Sequence, residues 1–150
     1  MFVDWLLASL HHLAVFSLAA ILAAEVALMG GGIEGKTALR LARIDAWFGL
    51  TAALALAAGL MRLFFGAKGV DYYLTNIFFW AKMALFVGVG LLSVAPTFTY
   101  LNWRRSFRAD ASFHPPSDEI RLVRQALYVE VGLFALIPIC AAAMARGYGM

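Results

Sequence analysis

The sequence predicts an all-α protein: an integral membrane four-helix bundle with both termini on the periplasmic side. Three observations carry this. Of 150 residues, 63% are hydrophobic and only 14% charged, and the mean hydropathy of +0.82 lies outside the range of soluble domains. Four apolar stretches, roughly Trp5 to Met29, Ala46 to Phe65, Ile77 to Tyr100 and Ala126 to Ala145, each approach the ~20 residues that cross hydrocarbon. The chain is read as a single transmembrane domain, 1–150, with helices over about 5–29, 46–65, 77–100 and 120–145, and no room for a separate soluble domain.

Helix one reads as a mature span rather than a signal peptide, because Asp4 precedes its core, no basic segment does, and the run exceeds a usual leader's apolar region. GGGIEG (30–35) stops it. Helix two is rich in small residues, Gly49, Ala52, Ala53 and Gly59, that admit a close neighbour. GAKGVDYY (66–73) makes the next turn and sets Tyr72 and Tyr73 at the interfacial aromatic belt. On helix three, Lys82, Phe86, Ser93, Thr97 and Tyr100 recur at helical spacing, which predicts a polar stripe toward the bundle interior. FHPPSDE (113–119) breaks the chain before helix four, where Ser117 can cap and Asp118 and Glu119 suit the helix N-terminus.

Lysine and arginine set the orientation. Lys36, Arg40, Arg43, Arg104, Arg105, Arg108, Arg121 and Arg124 fall on one side, Arg62, Lys68 and Arg146 on the other. The positive-inside rule places the first group in the cytoplasm of a bacterial inner membrane. The basic balance is thus an orientation signal, and Arg104 to Arg108 meet anionic lipid head groups rather than nucleic acid. Cys140 is the sole cysteine, so an intrachain disulfide and a thiolate metal cluster are excluded.

The ionisable residues inside the apolar spans carry the functional question. From Ile77 to Tyr100, Lys82 is the only charge, and such a cation costs about 2.5–3.5 kcal/mol on insertion scales. The topology sets His11, His12, Lys82 and Arg62 at one depth in the outer leaflet. Adjacent histidines point about 100° apart, and the seven-residue spacing Asp4, His11, Leu18, Glu25 puts His11 on the face of Glu25, making it the better inward candidate. His12 then faces the interface or lipid. Arg62 can also simply snorkel to the surface. Glu25 and Glu130 lie deeper, with Asp45 at the start of helix two. Ion pairing with Arg43, Arg121 and Arg124 is the expectation for these acids, and a proton or ion pathway the alternative.

An imidazole in a small bundle with cations at its level suits a porphyrin: His11 would bind the iron, and Arg62 or Lys82 would meet the propionates. Lys82 as a neutral amine could itself be the second axial ligand. His114 falls on the opposite side, which disfavours a bis-histidine site within one chain. Copper held by histidine and methionine is a weaker alternative, since the methionines read more simply as apolar filler.

The strings RIDAWFG (43–49), GLMRLFFGAKGVDYY (59–73), NIFFWAKMALFVGVGLLSVAPT (76–97) and AAMARGYG (142–149) resemble a bacterial inner-membrane family described as a domain of unknown function, over essentially the whole chain. More distantly, the chain is similar to the HemJ-type protoporphyrinogen oxidases and to CopD-like membrane domains. HemJ-type proteins pair an essential histidine early in helix one with an essential lysine in helix three and bind haem b; His11 or His12, and Lys82 in FFWAKMALF, match those positions. The double histidine, the missing flanking extensions and the divergent intervening sequence depart from that pattern. The resemblance implies a haem b protein with a redox role, in which His11 is the axial ligand, His12 its neighbour, Lys82 a second ligand or propionate partner, and Arg62 an anion clamp. Glu25 and Glu130 would be proton carriers, and a quinone or porphyrin the partner. If an enzyme, it would be an oxidoreductase. The rivals are a carrier for protons, copper or a small anion, and an accessory structural subunit; a homodimer could complete a site that four short helices enclose only in part.

Overall fold

The structure, a computed structural model, describes residues 2–66 and 69–149. Lys68, counted above among the outward basic residues, lies outside the described residues. Among the described residues five helices run in chain order: α1 (Phe2–Met29), α2 (Gly35–Phe65), α3 (Val70–Leu74), α4 (Ile77–Ala109) and α5 (Ser117–Ala145). All but α3 are long and apolar enough to span a membrane.

The helices outrun the apolar stretches. Helix α2 begins at Gly35 rather than near Ala46, because KTALRLARIDA is built of good helix formers whose apolar members Ala38, Leu41 and Ala42 are buried. Helix α4 likewise continues past Tyr100 to Ala109, where Trp103 is buried and donates from Nε1 to Glu119 Oε2 at 2.6 Å. Helix α5 opens at Ser117 with Pro116, not Ser117, in the cap position and with no side-chain cap; proline is at home at a helix start because it has no N–H to lose. The turn after α2 holds the five-residue helix α3, and Tyr73 is buried against Leu63, Phe79 and Met144 rather than lying in an interfacial belt.

Hydrophobicity does not drive helices together inside lipid, so close packing must. The small residues that achieve it on α2 are Ala55, Ala58 and Gly59; Gly49 and Ala53 face outward, and a Cβ on Gly49 would meet nothing within 4 Å. The main core runs through Leu18, Leu22 and Met29 of α1, Leu41 and Phe48 of α2, Val89, Tyr100 and Trp103 of α4, and Val123 and Leu127 of α5.

One end of the bundle gathers the start of α1, the end of α2, α3 and the chain after α5. Tyr72 donates to Met144 O at 2.5 Å, Asn76 Nδ2 to Tyr148 O at 2.9 Å, and Ile77 N to Gly149 O at 3.1 Å. Gly149 holds φ +82°, and a Cβ there would lie 2.7 Å from Ile77 and Phe78, so the RGYG ending closes over the start of α4 only with glycine at 149. At the other end Arg124 donates to Met29 O at 2.6 Å, tying α5 to the end of α1.

Candidate functional site

Two polar layers lie inside the bundle. The first, toward the end with the RGYG closure, is basic. His11 Nδ1 lies 3.0 Å from the Ala55 carbonyl oxygen across the α1–α2 contact. A carbonyl only accepts, so Nδ1 carries the proton, and Nε2 is left as the ring's lone-pair nitrogen. Gly59, one turn on from Ala55, makes the notch in which the ring sits: a Cβ there would lie 3.2 Å from His11 Cε1 and 3.4 Å from Nδ1. His12 points elsewhere; it is exposed, and its Nδ1 bonds Ala8 O of its own helix at 2.7 Å.

His11 and Lys82 line one cavity between α1, α2, α4 and α5, whose walls are otherwise apolar and include Leu18, Phe79, Phe86 and Phe134. The cavity has a volume of about 80 Å³ and is open on one side. Lys82 Nζ sits 5.1 Å from the Phe79 ring centre and 5.9 Å from that of Tyr73. Aromatic faces therefore offset part of its burial through cation–π attraction. Arg62 is within electrostatic reach of both His11 and Lys82, and its buried Nε has no hydrogen-bond partner. The four residues read as one level are thus divided: His11 and Lys82 share the cavity with Arg62 within electrostatic reach of both, whereas His12, its ring 6.2 Å from that of His11, is exposed and does not line it.

The second layer is acidic and lies about ten residues further along α2, toward the α1–α2 loop. Glu25 of α1, Asp45 of α2 and Glu130 of α5 are all buried. Asp45 Oδ1 accepts from Thr97 of α4 at 2.9 Å. The expected ion pairs are not there. Among the described residues none of these acids is bridged to an arginine: Arg43 and Arg121 are exposed, and Arg124 is turned to the Met29 carbonyl. The arginines reach water or a backbone acceptor instead, which costs less than desolvating their charge. Glu25 Oε1 and Glu130 Oε1 have no hydrogen-bond partner. Sequence reasoning placed Tyr100 only on a stripe; it is wholly buried and belongs to this layer. The signal was its spacing from Thr97, one turn before it.

The notch at residue 59 yields a specific expectation. Gly59→Ala must push the imidazole by a few tenths of an ångström while adding a better helix former. Thermal unfolding in detergent should be unchanged or slightly raised; a clear loss of stability would show that the ring has no room to give.

A family model described as "Predicted membrane protein (DUF2214)" matches residues 3–149. No curated protein and no solved structure matches the chain.

Proposed function

The chain belongs to this DUF2214 family of predicted membrane proteins, and from that premise we propose that it is a haem b-binding inner-membrane protein with a redox role. The observation that carries the reading is the His11 imidazole, whose Nδ1–H is held by the Ala55 carbonyl while Nε2 stays free beside a cavity that Lys82 shares. Metal-ligating histidines generally donate their second nitrogen in this way.

The donor set fits a porphyrin: one imidazole for the iron, and Lys82 and Arg62 at the same level for the propionates. The cavity volume of about 80 Å³ is below the ~300–1,000 Å³ of small-molecule sites, so a porphyrin would lie across the open mouth rather than within the cavity. When bound, haem would supply a one-electron couple. The chain's residues would hold and orient it: His11 as axial ligand, Lys82 as second ligand or propionate partner, Arg62 as anion clamp. The resemblance of His11 or His12, with Lys82, to the essential pair of the HemJ-type oxidases would imply electron transfer of the porphyrinogen-oxidase kind, to a quinone of the same membrane. The lysine and arginine bias supports periplasmic termini, which puts the basic layer in the outer leaflet.

A pyridine haemochrome assay on protein purified after expression with ample haem supply tests this. The expected result is close to one haem b per chain. Colourless protein from such cells would overturn the reading in favour of a carrier, or of an accessory subunit if a stoichiometric partner co-purifies.

A further inference from the structure

The acidic layer has no part in holding a porphyrin, yet all of its ionisable side chains are buried. Glu25, Asp45, Tyr100 and Glu130 are 2%, 7%, 0% and 1% exposed, one from each long helix. Glu25 is within electrostatic reach of Asp45 and Glu130, and Tyr100 of all three acids. Asp45 is tied to Thr97. Three further polar atoms are orphans: Glu25 Oε1, Glu130 Oε1 and the Tyr100 hydroxyl are buried without a partner.

The basic groups nearby do not compensate these acids. On α5, Arg124 serves the Met29 carbonyl, and Arg121 is exposed; on α2, Arg43 is exposed; on α4, Arg104 lies four residues beyond Tyr100 and also has an orphaned Nε. The α1 element brings no cation to this level. Three carboxylates without a counter-charge would each carry a desolvation penalty and would repel one another besides. Protons can supply the compensation. A carboxylic acid keeps one acceptor and gains a donor, and a water needs two to four polar partners of the kind the orphaned oxygens provide.

We propose that Glu25, Asp45, Tyr100 and Glu130 form an internal proton-binding site, in which the carboxyls share protons and an enclosed water joins the orphaned oxygens of Glu25, Glu130 and Tyr100. Thr97 holds Asp45 in place as a positioning residue. This extends the proton-carrying role expected of Glu25 and Glu130 to a four-helix cluster, and it stands whether or not the basic layer binds haem.

Infrared difference spectroscopy of the purified protein in H2O and D2O reads the site directly. At neutral pH the wild type should show the C=O stretch of protonated carboxylic acid, with a deuterium shift. Glu25→Gln and Glu130→Gln, nearly isosteric, should each remove part of that band, and Tyr100→Phe should shift it. Absence of the band at neutral pH, a band that none of the three variants changes, or its loss on adding sodium or calcium would each overturn the proposal; the last would assign the site to a cation. Should either glutamine variant fail to fold, the Tyr100→Phe shift still decides, since that change removes one hydroxyl and leaves the ring. The readout does not depend on pigment, so a colourless protein defeats the haem reading without touching this one.

Discussion

His11→Ala should purify with haem at background level, more than about tenfold below wild type, while His12→Ala keeps its full complement. Removing a ligand itself should exceed the 10- to 100-fold effects seen for its outer partners. The two residues are neighbours in sequence but differ in every respect that matters. His11 lines the cavity with Nδ1 committed to Ala55 of another helix; His12 is exposed and satisfied by its own helix. Comparing haem per chain in the two variants, with circular dichroism to confirm equal helix content, measures this. Equal loss in both, or loss in His12→Ala alone, would remove His11 as the axial ligand.

Lys82→Met should raise stability and lower occupancy together. The lysine is half-buried among Phe79, Tyr73 and the apolar walls of the cavity. It also lies within reach of Arg62, a like charge. Cation–π contacts return about 0.5–2 kcal/mol, less than the ~2.5–3.5 kcal/mol that a lysine costs in the centre of a membrane helix. Methionine fills similar space without charge, so unfolding in mild detergent should be harder by about 1 kcal/mol or more. Haem occupancy should fall, or its spectrum change, because the propionate partner or second ligand is gone. A destabilised variant with normal pigment would make Lys82 a structural residue; such opposite signs are the mark of a residue kept for function at a cost in stability.

Much of this architecture was legible from spacing alone. Uninterrupted apolar runs set the number of spans, and the seven-residue series through His11 and Glu25 selected the inward histidine. Lys82, Phe86, Ser93, Thr97 and Tyr100 are all half-buried or buried, as their shared stripe requires. Helix ends were less legible. Apolar runs mark where hydrocarbon begins, whereas hydrogen bonding carries α2 back to Gly35 and α4 on to Ala109. The acidic layer was visible residue by residue but misread as ion pairs, because proximity in sequence to Arg43 and Arg124 does not say which way an arginine turns. Gly59 was legible only as one of several small residues on helix two, with nothing to say that His11 is the neighbour it admits. Ala55 could not be found at all, since its contribution is a backbone carbonyl, which leaves no chemical signature in a sequence.

The central claim, a porphyrin site at His11 and Lys82, is tested most directly by titrating the detergent-purified wild type with hemin and recording oxidised and dithionite-reduced spectra at each step. The account predicts a Soret band that shifts from that of free hemin, saturates near one equivalent per chain, and gives a sharp α band on reduction. A spectrum that grows without saturation and keeps the form of free hemin in detergent would contradict it.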